Sequence, residues 1–242
     1  LIGAGLEWGW VKMFRPHESF ISILTRLGLT SGLKLCVDAG DAASYTSGQK
    51  WLDRSGGGYD FFLGVDGTVS TDDPTFNGTP GGLSTSEYWS FDGADFFTYD
   101  TTNETWMENI HKDNAIFTIV VWVQFDTFGA TAQAVCGDTG GAVTGCEFGV
   151  DTASSLRFRV LNATATAFSA TRSDDLTADV WQMLSVSLNE ATGANGCTLG
   201  TNDDFQLFTS TYSSPAITGA TATFSLGSRG TTNAPIQATG RV

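Results

Sequence analysis

The sequence predicts an all-β protein, an antiparallel two-sheet jelly-roll sandwich preceded by a short helical arm. Three observations carry that expectation. After Gly32, short runs dense in Val, Ile, Phe, Thr and Trp alternate with clusters of Gly, Asp, Asn and Ser, the texture of strands and turns. No helical pattern and no repeat of roughly 20–50 residues interrupts those runs, which argues against parallel α/β folds, solenoids and propellers. The 242 residues, 41% of them apolar, are enough for one sizeable core.

Residues 17–28, "HESFISILTRLG", set Phe20, Ile21, Ile23, Leu24 and Leu27 at helical spacing, with Pro16 at the first turn and Gly28 as a stop. Residues 1–32 are therefore assigned to an arm and residues 33–242 to the jelly-roll domain. The helix is expected to cover an edge or surface of the sandwich; docking on a neighbouring subunit is the other role open to it.

Within the domain, "QKWLDRSGGGYDF" (49–61) places an aromatic and an acid before three glycines. The glycines follow no phosphate-loop lysine pattern and open no helix, so the stretch reads as a turn. Trp51 is expected in the core, Asp53 on local backbone amides, and the glycines at positive φ. In "FTIVVWVQF" (117–125), Phe117, Ile119, Val121, Val123 and Phe125 share one face, and Val120 and Trp122 make the other apolar too. A strand apolar on both sides is expected inside a sandwich. "SLRFRVL" (155–161) turns Leu156, Phe158 and Val160 inward and Arg157 and Arg159 toward solvent or a partner. "QMLSVSLNE" (182–190) does the same with Leu184, Val186 and Leu188, and "DFQLFTSTY" and "ATATFSLGS" add two more runs.

In their order and spacing, "LKLCVDAGDAASY", "WLDRSGGG", "YWSFDGADFFTY", "FTIVVWVQF" and "DVWQMLSVSLN" resemble the laminin-G-like, concanavalin A-like lectin-glucanase jelly roll over residues 33–242. The landmark residues are Trp51, Asp53, Ser55, Gly56 and Gly58; Phe91, Asp92 and Gly93; Trp122; and Trp181. The resemblance implies a core strand at Trp122 and a closing strand beyond "ATGRV", missing here or supplied by a neighbour. This version of the fold is similar to examples in bacteriophage virion proteins and extracellular bacterial proteins.

Composition narrows the partners. A net charge of −14, a pI near 4.2 and 12 scattered Lys and Arg leave no basic stripe for nucleic acid or a membrane surface. No apolar run reaches the roughly 18 residues of a membrane span, and the first residues lack the order of a secretory signal, so an unsecreted chain or an already removed leader is expected. Cys36, Cys136, Cys146 and Cys197 show no metal-type pairing and read as buried free thiols; a staple from Cys136 to Cys146 is the alternative. His17 and His111 lie far from these thiols in sequence, which argues against shared metal ligation.

Chemistry is sparse. The seven glutamates are isolated, with no closely spaced carboxylates of a glycosidase strand, so no catalytic residue is assigned. Asp72 and Asp73, Asp174 and Asp175, and Asp203 and Asp204 are adjacent pairs that point to opposite faces and read as loop acids. No cofactor is expected and no metal ligand set is assigned. Calcium is the one ion considered, on oxygens of loops 92–95, 137–141 or 201–204. Trp51, Tyr59, Tyr88, Trp89 and Trp106 read as packing aromatics, with sugar stacking as the functional alternative. The expected function is a non-enzymatic virion structural protein, a capsid decoration or tail-associated component on the particle surface, contacting other virion proteins and copies of itself. The alternative is an extracellular carbohydrate-binding module or adhesin recognising a host surface glycan; a degenerate glycosidase ranks below both.

Overall fold

The computed structural model describes residues 18–99, 106–107, 110–112, 114–129, 131–139, 144–162, 165–173, 176–210, 220, 222–230 and 239–242. Two antiparallel sheets face one another. Numbered along the chain, the eight-stranded sheet runs β1 (Lys50–Trp51), β2 (Phe61–Leu63), β5 (Phe97–Tyr99), β14 (Ser225–Leu226), β7 (Gln133–Gly137), β8 (Gly145–Val150), β9 (Leu156–Asn162) and β10 (Ala165–Arg172). The seven-stranded sheet runs β13 (Asp204–Phe208), β12 (Cys197–Thr201), β11 (Gln182–Asn189), β6 (Ile116–Phe125), β15 (Thr239–Arg241), β4 (Tyr88–Asp92) and β3 (Thr75–Asn77). The sandwich is thus the architecture that the alternating runs predict. Among the described residues no helix is long and apolar enough to cross a membrane.

Alternation decides what enters the core, because successive side chains on a strand point to opposite faces. From one sheet come Trp51, Phe61, Phe97, Phe148, Phe158 and Val160; from the other come Trp89, Phe91, Phe125, Leu184, Val186 and Leu199, all buried. Trp89 is the hub. Its ring lies 5.7 Å from Trp51 and 5.1 Å from Phe97 across the sandwich, and 4.5 Å from Tyr45 and 5.2 Å from Phe76. Offset and edge-on aromatic contacts of this kind add about 0.5–1.5 kcal/mol per pair beyond the area they bury.

Three sequence expectations change. The β6 strand is apolar on both sides yet is open on one: its inner residues pair in register with Leu184, Val186 and Leu188, while Val120 and Trp122 are 44% and 48% exposed. Trp122 is therefore a surface residue, because no layer of the described residues lies over the outer side of this sheet. Arg157 and Arg159 lie on the side away from the core, as the alternation predicts, but are only partly exposed. They bind the buried Glu147 on β8 at 2.5 and 2.9 Å, joined by Arg229 at 3.1 Å, and the guanidinium charges outweigh burial and hold its carboxyl below the usual range. The closing segment differs as well: Thr239–Arg241 does not stop short of the sheet but is itself a strand, paired with β4 on one side and β6 on the other.

The helix α1 spans Phe20–Arg26, shorter than the predicted stretch, and none of its residues is buried. Pro16 and His17 lie outside the described residues. The Phe20 amide donates to Asp38 Oδ2 at 2.8 Å, tying the helix start to the domain. All four cysteines are free and buried. Burial, with help from nearby acids at Cys36 and Cys136, pushes the thiols of Cys36, Cys136 and Cys197 up to about 12, so they stay protonated at neutral pH.

The turn after β1 is built around one carboxylate. Asp53 Oδ1 accepts from the amides of Cys36 (2.9 Å) and Ser55 (2.8 Å), and Oδ2 accepts from the Ser55 hydroxyl (2.6 Å) and the Tyr59 amide (3.2 Å). Gly56 and Gly58 stand at φ 93° and 74°, where a side chain would be strained. A second turn, between β4 and β5, buries Asp95, whose Oδ2 accepts the Asp92 amide at 3.0 Å. Burial raises this carboxyl to about 6; the Asp92 amide opposes the shift, and the Asp92 and Asp72 carboxylates add to it.

Two outcomes follow. Asp53→Ala leaves four donors without their acceptor and is expected to cost about 2 kcal/mol, read as a lower urea midpoint at unchanged m-value. For Asp95 the folded pKa lies above the unfolded value near 4, so the native state holds a proton that the unfolded chain releases, and stability falls as pH rises from about 4 to about 6. Asp95→Asn, which keeps the acceptor, is expected to raise the melting temperature by roughly 2–4 °C at pH 7 and by nothing at pH 3.5, in calorimetry across that range.

Candidate functional site

The outer face of the seven-stranded sheet presents side chains from six of its strands. On β6 it shows Ile116, Thr118, Val120 and Trp122, a row about 20 Å long at strand rise, and the row ends at Gln124, which is on the same side but buried. Across from this row β11 shows Met183, Ser185 and Ser187, and β12 shows Thr198 and Gly200. At the edge, β13 raises Phe205 and Leu207, which pair with Gly200 and Thr198 and are 58% and 55% exposed. Small residues thus floor a shallow trough between two apolar walls. Gly200 is required there: a Cβ would meet the Phe205 ring and the Ser185 hydroxyl, each at 2.5 Å.

One end of the trough is aromatic and carries hydrogen-bonding groups. Trp181, immediately before β11, is 36% exposed, and its ring meets that of Tyr88 edge-on at 5.9 Å. Arg241, on β15 between β4 and β6, holds its guanidinium 5.5 Å from the Tyr88 ring centre and donates through Nη1 to Gln124 Oε1. Trp122 stands two residues before Gln124 on the same face of β6. Three aromatic side chains therefore border Arg241, which the buried Gln124 holds in place and whose planar guanidinium suits neighbouring hydroxyls or a carboxylate.

Most of the aromatics singled out from the sequence lie elsewhere. Trp51 and Trp89 are core residues; Tyr59 and Trp106 are part-buried and pack on each other at 5.1 Å. Only Tyr88 of that set reaches the outer face. Of the landmark residues, Phe91 is buried, Gly93 shapes the β4–β5 turn at φ 95°, and Asp53, Ser55, Gly56 and Gly58 form the turn after β1. Trp122 and Trp181 are the landmarks that the fold brings to the trough. Arg241 and Phe205 were not foreseen, and neither sits in a motif; their shared face follows only from the strand pairing.

The calcium loops separate in the fold. Asp92 and Asp95 join Asp73, Ser70, Thr75 and Ser90 around an open recess beside β3 and β4. Each carboxylate there is used by its own turn: Asp92 accepts the Ala94 amide at 2.8 Å, Asp95 the Asp92 amide, and Asp73 the Ser70 amide at 3.1 Å. Asp204 binds Arg172 at 2.6 Å, reaching across from β10. In the loop 137–141, Asp138 is fully buried, and residues 140–141 lie outside the described part, as do Asp174 and Asp175. Contrary to the sequence spacing, His111 is not remote from every thiol: it lies against Asp138 and Cys146.

No protein-family model matches the chain, and no curated sequence matches it. Among solved structures it is similar to the CBM40 of the Ruminococcus gnavus IT-sialidase bound to α2,3-sialyllactose, with 13% identity over 61% of this chain and 82% of that one and a TM-score of 0.47. Trypanosoma rangeli sialidase with 2,3-difluorosialic acid gives 12% identity over 82% of this chain but 28% of that one, with a TM-score of 0.47. An S-layer domain-containing protein from Clostridium thermocellum gives 20% identity over 71% of this chain and 70% of that one, at a TM-score of 0.37. At these identities the outer face of each protein has to be read from its own residues.

Proposed function

We propose that the chain is a non-catalytic carbohydrate-binding domain that holds sugar rings on the outer face of its seven-stranded sheet. The observation that carries this reading is the exposure of Trp122 and Trp181 beside Tyr88, around the Arg241–Gln124 pair. A large exposed apolar patch costs solubility and marks a binding surface when polar groups rim it. Aromatic rings give a sugar ring's C–H face an apolar partner, and the Arg241 guanidinium, steadied by Gln124 beneath it, fixes its hydroxyls. The trough continues from this end past Ser185, Ser187 and Thr198, whose hydroxyls line a path for further sugar units. Carboxylates do meet in the recess beside β3 and β4, but each builds a turn, which favours binding over hydrolysis.

A second reading has its own observation. Ile116 and Val120 on one side and Phe205 and Leu207 on the other add two exposed apolar walls flanking the serines. Those walls favour a protein contact, the role expected of a component on a virion surface, whereas the first reading suits an extracellular protein.

The two readings separate experimentally. On an array of neutral oligosaccharides and sialyllactose, the first expects saturable binding that falls about tenfold or more, about 1.4 kcal/mol, in Trp122→Ala and Trp181→Ala. Val69→Ser, exposed in the loop between β2 and β3 and outside the trough strands, serves as the unchanged control. An array without binding sinks the reading. The second expects sedimentation to show a concentration-dependent oligomer that Leu207→Lys dissociates; a monomer throughout the micromolar range removes self-association.

A further inference from the structure

The hairpin of β7 and β8 closes on an unusual set of buried side chains. Just past β7, the Asp138 amide donates to the Cys146 carbonyl at 3.0 Å, and Asp138 Oδ1 accepts the Cys146 amide at 2.7 Å. This clasp is tight enough to dictate its glycines: a Cβ on Gly145 would lie 2.6 Å from Asp138 Oδ1, and one on Gly137 would lie 2.5 Å from the Cys146 carbonyl. The fold then brings His111 against the clasp. One ligand atom from each of His111, Asp138 and Cys146 lies within 4.8 Å of the others. Their exposures are 0%, 0% and 2%.

We propose that His111, Asp138 and Cys146 bind a zinc ion inside the sandwich. An imidazole nitrogen, a carboxylate oxygen and a sulfur form a donor set of mixed softness that suits zinc; calcium and magnesium take oxygen ligands and have no use for the thiol. Bonds of about 2.0–2.3 Å place tetrahedral ligand atoms roughly 3–4 Å apart, a small contraction from the observed spread. Zinc displaces the Cys146 proton to solvent, no oxidant or reductant is involved, and a water molecule completes the four-coordinate shell. The site serves the fold: it joins the turn at His111 to the β7–β8 hairpin, at a place separate from the exposed trough.

Metal-stripped full-length protein mixed with zinc alone, then passed through a desalting column, tests this directly. One zinc per chain by elemental analysis is expected, with a melting temperature raised by roughly 5 °C. Cobalt(II) in place of zinc is expected to give a thiolate-to-cobalt charge-transfer band and intense tetrahedral visible bands. Absence of both the bound zinc and the thiolate band in the wild-type protein overturns the proposal. Loss of the band in Cys146→Ser, with retention in Cys197→Ser, whose thiol is equally buried elsewhere, assigns the sulfur; a band that survives in folded Cys146→Ser overturns the assignment. His111→Gln is expected to weaken zinc at least tenfold while the protein retains its far-ultraviolet spectrum, and unchanged affinity there also overturns it.

Discussion

The seven-stranded sheet is continuous because three residues bridge it. Thr239–Arg241 fills the gap between β4 and β6, and without this strand the β3–β4 pair would have no hydrogen-bonded link to the rest of the sheet. The fit is close: a side chain at Gly240, which stands at φ 147°, would collide with the Gln124 carbonyl. The next residue extends the bridge, since Trp89 and Val242 exchange backbone hydrogen bonds at 2.8 and 2.9 Å. One short segment therefore sets two things at once. Inward it holds the backbone of Trp89, the ring on which the aromatic core converges; outward it delivers Arg241 between Tyr88 and Gln124.

The two outer faces are treated differently by the same strand alternation. On the eight-stranded sheet, Glu147 is enclosed by Arg157, Arg159 and Arg229, so the charges of β8 and β9 offset one another. Removing one partner of such a buried group is costly, because the charge that remains has lost its water as well. On the seven-stranded sheet, away from the Arg241–Gln124 pair, the outward residues are apolar or small, and Val120, Trp122, Phe205 and Leu207 stand exposed. The first face reads as self-sufficient and the second as a surface with a use.

Much of the sandwich was legible because it rests on local pattern. Alternation in "SLRFRVL" and "QMLSVSLNE" fixed which residues face inward, and the glycine-rich turn after Trp51 followed from backbone chemistry. The candidate site was less legible because exposure is a property of layers. Val120 and Trp122 look like core residues until β11, with Ser185 and Ser187 on the same side, is set beside them. The serines were the available signal: a strand polar on one side implies that its sheet has one open face. Arg241 and the group of His111, Asp138 and Cys146 depend on contacts between distant segments, which no spacing in the chain encodes.

The two ends of the seven-stranded sheet are unequal, and this bears on how the protein behaves when crowded. At one end β3 is three residues long, too short to template another strand. At the other, β13 runs for five residues with Phe205 and Leu207 exposed and its far side without a hydrogen-bonded neighbour among the described strands. Arg172 reaches over from the other sheet and occupies the carbonyl of Asp204, closing the ladder where the strand begins. Of the two ends of this sheet, then, β13 is the one with backbone groups open to a further strand, and the Arg172 guanidinium closes its first position.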